Sequence, residues 1–334
     1  MRRNTIFTVA VVAAMTLSLG ACSRGGTSSA ATTTSGSGGA AAGKTAALVI
    51  STLDNPFFVS VAAGAKAEAT KLGMSLNIQN ADNTDETSLD LATSALTKQP
   101  SVLIIDPVSS ASGGAIVKEA NSDGVPAVAF DRVPSGGTLK AFIGYDAIQA
   151  GRNAANALGQ ALDGKGSVVE ITGTTGTSVA QQRSQGFEAG IKAFPGIKIV
   201  ATQTANFDRG TALNVMTNIL QSNHNIAGVY AANDEMALGV IAALQAAGQT
   251  GKIKVVGNDG IADAVTALKA GTLYATNAES PYALGVAVMS LAANVANGKP
   301  VDKDKVLQGF IVKAANVASY CSKLAVLGDN TTCK

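Results

Sequence analysis

Residues 51–58 read Ser-Thr-Leu-Asp-Asn-Pro-Phe-Phe and follow directly on the apolar run Ala46–Ile50. The run has the length and character of a buried strand. After it the chain turns at Pro56, presents two adjacent aromatics, and enters an alanine-rich stretch of helical composition, Val59–Leu72. In an open α/β sheet, ligands bind outside the carboxyl ends of the strands. The octapeptide is therefore placed to line a pocket with one carboxamide, Asn55, and two aromatic faces, Phe57 and Phe58. Such a lining suits a ligand with hydroxyls on its edge and C–H bonds on its faces, which describes a sugar.

The same pattern repeats along the chain. Strand-length apolar runs fall at Ala46–Ile50, Ser75–Gln79, Val102–Ile105, Ala127–Phe130 and Ala141–Ile143. A second series falls at Ser167–Thr172, Lys198–Thr202, Gly228–Ala231, Lys254–Gly257 and Tyr274–Ala278. Helical stretches separate them: Val59–Leu72, Thr87–Lys98, Gly113–Asn121, Ile148–Leu162 and Gln181–Ala193 among others. Continuous apolar strands alternating with helices predict parallel sheet covered on both faces, an α/β fold. The length suits two domains. The two series match in order without a sequence repeat. No Ser/Gly/Pro-rich linker divides them, so short crossovers and a hinge are expected.

The N-terminus reads as an export signal over residues 1–21. Arg2 and Arg3 precede an uncharged apolar run, Ile6–Leu19, and Leu19-Gly20-Ala21-Cys22 ends it in small residues. The run is short for a membrane span, although an uncleaved anchor is the alternative. The Leu-Gly-Ala-Cys run resembles the bacterial lipobox, which implies lipid on the Cys22 sulfur and a tether outside the cytoplasm; two or more acyl chains hold such an anchor stably. Residues 22–44 are Gly, Ser, Thr and Ala apart from Cys22, Arg24 and Lys44, a flexible linker. Without Arg2 and Arg3 the chain carries 23 basic and 23 acidic residues, a neutral balance that argues against nucleic-acid binding through bulk charge. A single histidine, His224 in a polar Ser-Asn-His-Asn turn, leaves little material for a zinc site or a histidine-based triad, and no cofactor or metal is expected. Cys321 and Cys333 remain, and outside the cytosol such a pair normally bonds; two free thiols are the alternative.

Polar groups recur where the strands end. The first strand delivers Asp54, Asn55, Phe57 and Phe58. Later strands deliver Asp106, then Asp131 and Arg132. In the second series Ser167–Thr172 leads through Gly173–Ser178 to a helix with Arg183, and the next strands lead to Phe207 and Asp208, Asn233 to Glu235, Asn258 and Asp259, and Glu279. Any one Asp here could be a helix N-cap, and Phe57, Phe58 and Phe207 could be core; the recurrence at every strand end is what points to a ligand site.

Taken in order, Ser-Thr-Leu-Asp-Asn-Pro-Phe-Phe, Phe-Asp-Arg at 130–132, Gly-Thr-Ser-x-Ala-x-x-Arg at 176–183, Asn-Phe-Asp-Arg at 206–209, Asn-Asp-Glu-Met-Ala-Leu-Gly at 233–239 and Gly-x-Asp-Gly at 257–260 resemble the bacterial ribose-binding family of periplasmic binding proteins serving ABC importers. The resemblance runs from about residue 44 to about 315. It implies two doubly wound parallel-sheet lobes joined by a three-segment hinge: residues 45–145 with 280–308, and 146–279 with 309–316, followed by a tail, 317–334. It further implies a monomer with a sugar in the cleft and ABC permease subunits as partners. Asn55, Phe57, Phe58, Asp131 and Arg132 would contact the ligand from the first lobe and Arg183, Asn233 and Asp259 from the second, with Phe58 and Phe207 sandwiching the ring. Three positions depart from the family's pattern: Asp106 stands for asparagine, Glu279 for glutamine, and Asn258 for an aromatic beside Asp259.

The departures leave Asp106, Asp131, Asp259 and Glu279 facing only Arg132 and Arg183. Like charges in a dehydrating cleft repel unless protons or donor-rich ligands intervene. A neutral polyhydroxy ligand, a pentose or a sugar alcohol, is expected, with sugar acids and phosphates rejected. Arg183→Ala and Asp259→Ala are expected to remove binding with little loss of fold. Other readings are a regulator with the same core, disfavoured because a signal and linker stand where a helix-turn-helix would be, and a sensor accessory. An enzyme is disfavoured by the lack of a Walker loop or nucleophile elbow; Gly173–Thr177 imitates a phosphate loop but lacks its lysine.

Overall fold

A computed structural model describes residues 43–334; the expected signal, Cys22 and most of the linker lie outside the described residues. The first lobe begins with β1 (Thr45–Ile50), α1 (Pro56–Leu72), β2 (Ser75–Asn80), α2 (Asp85–Leu96), β3 (Val102–Ile105), α3 (Ser110–Ser122), β4 (Ala127–Phe130) and β5 (Ala141–Tyr145). The chain then crosses into α4 (Ala147–Ala161), β6 (Lys165–Thr172), α5 (Ser178–Ile191), β7 (Gly196–Thr204), α6 (Arg209–Ser222), β8 (Ile226–Ala231), α7 (Asp234–Ala246), β9 (Lys254–Asp259), α8 (Ala262–Lys269) and β10 (Ala275–Ala278). It returns for α9 (Pro281–Ala296) and β11 (Asp304–Leu307), and crosses a third time into β12 (Phe310–Val312) and α10 (Val317–Val326).

The two sheets have one topology. The first runs β2-β1-β3-β4-β5-β11 and the second β7-β6-β8-β9-β10-β12. All pairings are parallel except that of β12 with β10. Central strands are buried along their length, as in β3 and β4, because helices cover both faces. Edge strands are not: β7 alternates and β11 is mostly exposed. In both sheets the strand order reverses beside the first strand, at β1/β3 and β6/β8, so each lobe has its switch point at the carboxyl edge that faces the cleft.

Three short crossovers connect the lobes, and two of them are tied together. The Tyr145 hydroxyl, at the end of β5, accepts from the Ser280 N–H at 2.7 Å. The C-terminal helix braces the same region, since the Tyr320 hydroxyl lies 2.8 Å from the Glu279 carbonyl and 2.9 Å from that of Gly260. A disulfide joins Cys321, on α10, to Cys333. Among the described residues no helix is long and apolar enough to cross a membrane.

Candidate functional site

The site starts at the octapeptide. Pro56 occupies the first turn of α1, where its missing N–H and fixed φ cost nothing, and Asn55 is the N-cap, its Oδ1 accepting from the Phe57 N–H at 2.9 Å. The helix therefore begins three residues before the expected Val59, and Phe57 and Phe58 belong to its first turn, not to a loop. Their rings meet edge to face with centroids 5.3 Å apart, and both are almost fully buried. Asn233 repeats the arrangement in the second lobe: it caps α7 by accepting from the Met236 N–H at 2.9 Å. In each lobe one carboxamide oxygen holds a helix start, which leaves the amide nitrogen to donate elsewhere. Asp208, by contrast, is spent as the cap of α6.

Nine of the expected site residues line one cavity: Asn55, Phe57, Phe58, Asp131 and Arg132 from the first lobe, and Arg183, Phe207, Asn233 and Asp259 from the second. The lobes meet around it. The Ser110 N–H donates to the Gly176 carbonyl at 3.2 Å, and the Val133 N–H donates to the Ser178 hydroxyl at 2.8 Å. The guanidinium of Arg132 lies 5.4 Å from the Phe58 ring centre and 5.8 Å from that of Phe207, so it contacts an aromatic face from each lobe. Val179 also lines the cavity and was not anticipated. It sits four residues before Arg183 on α5, and that helical spacing was the available signal.

Three of the lining residues, Asp131 (φ 58°), Phe207 (φ 60°) and Asp259 (φ 123°), have positive φ. That is a costly backbone for a bulky or branched side chain, and such strain concentrates at functional sites. Phe207 depends on a glycine to be there at all. A Cβ on Gly173 would lie 2.0 Å from the far carbon of the Phe207 ring.

Asp106 and Glu279 stand behind the wall rather than on it. Asp106 Oδ2 accepts from the Ser51 N–H at 3.2 Å, and Oδ1 lies 3.9 Å from Arg132 Nε. Glu279 Oε1 accepts from Arg183 Nη2 at 3.1 Å, while Arg183 Nη1 lies 3.4 Å from Asp259 Oδ1. Each lobe thus sets an arginine against a fully buried acid. Asp106 Oδ1, Arg132 Nε, Arg183 Nε and Glu279 Oε2 are all buried without a hydrogen-bond partner, which leaves bonding capacity around the cleft unused. Burial raises the Asp106 carboxyl to about 7 against the opposing pull of Arg132. Burial also raises Asp131, Glu279 and, most strongly, Asp259, with the nearby arginines again opposing. Burial alone would lower Arg183, but Glu279, Asp259 and Asp131 outweigh it and keep the guanidinium charged.

A cavity closed by two lobes of like topology at paired switch points defines the architecture, and residues 46–300 match the family described as periplasmic binding protein domain. The chain belongs to the periplasmic binding protein family. This binding protein is 38% identical over 257 residues to the ribose import binding protein of Salmonella typhimurium, covering 77% of this chain and 86% of the relative. It is 30% identical over 305 residues to the xylitol-binding protein of Mycolicibacterium smegmatis, covering 91% and 84%. Its fold superposes with a TM-score of 0.81 on an ABC transporter solute binding protein from Bacillus halodurans with bound myo-inositol, at 28% identity, covering 85% of this chain and 99% of that one. The type I two-lobe fold expected from the sequence is the fold found. Membership of this family places the binding protein outside the cytoplasm.

Proposed function

We propose that the protein captures a neutral monosaccharide, a ribose-like pentose, by hinge closure and delivers it to an ABC permease while tethered by lipid on Cys22. The observation that carries this reading is the cavity itself: aromatic faces for C–H surface, and carboxamide, guanidinium and carboxyl groups from both lobes for hydroxyls. Because each lobe supplies about half the contacts, ligand has higher affinity for the closed state and shifts the population toward it. The bodies that would move are residues 45–145 with 280–308 and residues 146–279 with 309–316. Neutral ligands are favoured because four buried acids, Asp106, Asp131, Asp259 and Glu279, stand around only two arginines, Arg132 and Arg183, and an added carboxylate or phosphate would face them at close range.

A sugar alcohol is the second reading. It is favoured by the xylitol-binding relative, which matches over 91% of this chain, and by the two acidic residues, Asp106 and Glu279, behind the cavity wall. A thermal-shift panel of pentoses, hexoses and polyols tests both. A ligand at a thousandfold excess over its Kd stabilises by about 4 kcal/mol, a rise on the order of 10 °C for a chain of this size. Shifts with ribonate or ribose 5-phosphate and none with neutral sugars or polyols would refute the reading.

A further inference from the structure

Two adjacent central strands of the second lobe carry buried carboxamides where branched aliphatics would be ordinary. Asn258 on β9 and Asn277 on β10 are fully buried and are register partners. Buried polar groups at such positions need complete partners, and these have them in a line. Gln149 Nε2 donates to Asn153 Oδ1 at 2.9 Å, and Asn153 Nδ2 donates to Asn277 Oδ1 at 2.9 Å. Asn277 Nδ2 donates to Asn258 Oδ1 at 3.0 Å. Asn258 Nδ2 then donates to Glu279 Oε1 at 3.0 Å and to Asp259 Oδ1 at 3.1 Å. The same two carboxyl groups receive Arg183.

The direction of this line is not free. A carboxylate only accepts, so Asn258 must turn its nitrogen to Glu279 and Asp259 and its oxygen to Asn277. That choice fixes the orientation of Asn277, then Asn153, then Gln149. Each amide polarises the next, with the donor end facing the acid pair. The line begins on α4, just after the first interlobe crossover, and runs past the third. A Cβ on Gly309, between β11 and β12, would lie 2.6 Å from Asn277 Nδ2.

We propose that this amide relay orients the Glu279–Asp259–Arg183 group for ligand, so that Asn153, which is outside the cavity, is a positioning residue for cleft affinity. The inference rests on the cleft being the ligand site. An acceptor-only side chain at 153 opposes the direction the acid pair imposes, whereas an apolar one only shortens the relay.

The test compares Asn153→Asp with Asn153→Leu, at a half-buried helix position that tolerates both, each with and without Glu279→Gln. D-ribose and xylitol are the probes in calorimetry. Asn153→Leu weakens binding about fivefold or less, the worth of one neutral hydrogen bond, and Asn153→Asp weakens it at least about tenfold. Glu279→Gln offers a side chain that can donate as well as accept, so in that background the difference between the two substitutions disappears. The thermal midpoint of the ligand-free protein is read on the same four variants: Asn153→Asp lies below Asn153→Leu, and the gap closes with Glu279→Gln. This arm decides the relay even if neither probe binds, a result that would count against the ligand reading alone. Asn153→Asp no worse than Asn153→Leu, or effects that simply add to Glu279→Gln, overturns the proposal.

Discussion

Arg183→Ala is the substitution whose outcome the structure changes most. From the sequence it should remove binding and spare the fold. In the structure Arg183 is 4% exposed, lies against Glu279 at 3.1 Å and Asp259 at 3.4 Å, and donates to the Ala232 carbonyl at 2.8 Å. Removing one partner of a buried ion pair costs about 3–5 kcal/mol because the other charge is left unpaired. Here two acids are left at once, and each can escape only by taking a proton. Both carboxyls are already raised by burial, and without the arginine they rise further. A carboxyl whose folded pKa is raised adds stability that is complete below its unfolded pKa, near 4, and is lost as pH climbs through the folded value. The variant should therefore lose about 3–5 kcal/mol relative to wild type at pH 7.5, on the order of 10 °C in Tm. It should recover up to about 1.4 kcal/mol per carboxyl for each pH unit down to pH 5. Denaturant melts of both proteins at pH 7.5, 6 and 5, with calorimetry for ligand, are the assay. A variant as stable as wild type at pH 7.5 and insensitive to pH would refute the paired-acid reasoning, and unchanged affinity would refute the site.

Asp106→Asn should remove a pH dependence that wild type shows between about pH 4 and pH 7. In that window the native carboxyl, raised by burial to about 7, keeps its proton while the unfolded one ionises, which costs wild type up to about 1.4 kcal/mol per pH unit and levels off above it; parallel stability–pH curves would contradict this. Gly173→Ala should displace the Phe207 ring, whose far carbon would stand 2.0 Å from the new Cβ, and weaken ligand binding about tenfold or more with little change in Tm; unchanged affinity would show that the ring does not face the ligand. Reducing the Cys321–Cys333 bond, which closes a 12-residue separation, should lower stability by about 3 kcal/mol in the chain-entropy model, read as a fall in Tm under reductant that a Cys321→Ser, Cys333→Ser variant does not show. An equal fall in both would place the effect elsewhere.

Much of this was legible in the sequence because the strands that carry the site are central ones. Ala46–Ile50, Val102–Ile105 and Ala127–Phe130 are buried on both faces, and a continuous apolar run marks them. β11 and β12 do not carry such a run: Asp304–Leu307 is an exposed edge, and Phe310–Val312, though apolar, is only three residues long. The site residues were readable because each follows a strand, but their depth was not. Asp106 and Glu279 end strands like the others, yet they lie behind Arg132 and Arg183, an arrangement set by tertiary packing. Asn277 sits inside a strand and carries no local signal of the relay it joins. The helical start at Pro56 is readable from Asn-Pro as cap and first-turn residue, while alanine-rich composition alone marks the helix only from Val59.

In the proposed function, two lobes close on a neutral polyhydroxy ligand through acids and arginines that reject anions. Titrating the best neutral binder from the thermal-shift panel in parallel with its own acid and phosphate derivatives, by calorimetry at pH 7.5, tests it most directly. The expected result is one site per chain for the neutral compound with a negative heat-capacity change, and at least about a hundredfold weaker binding of either anion. Equal or tighter binding of the acid or the phosphate would contradict it.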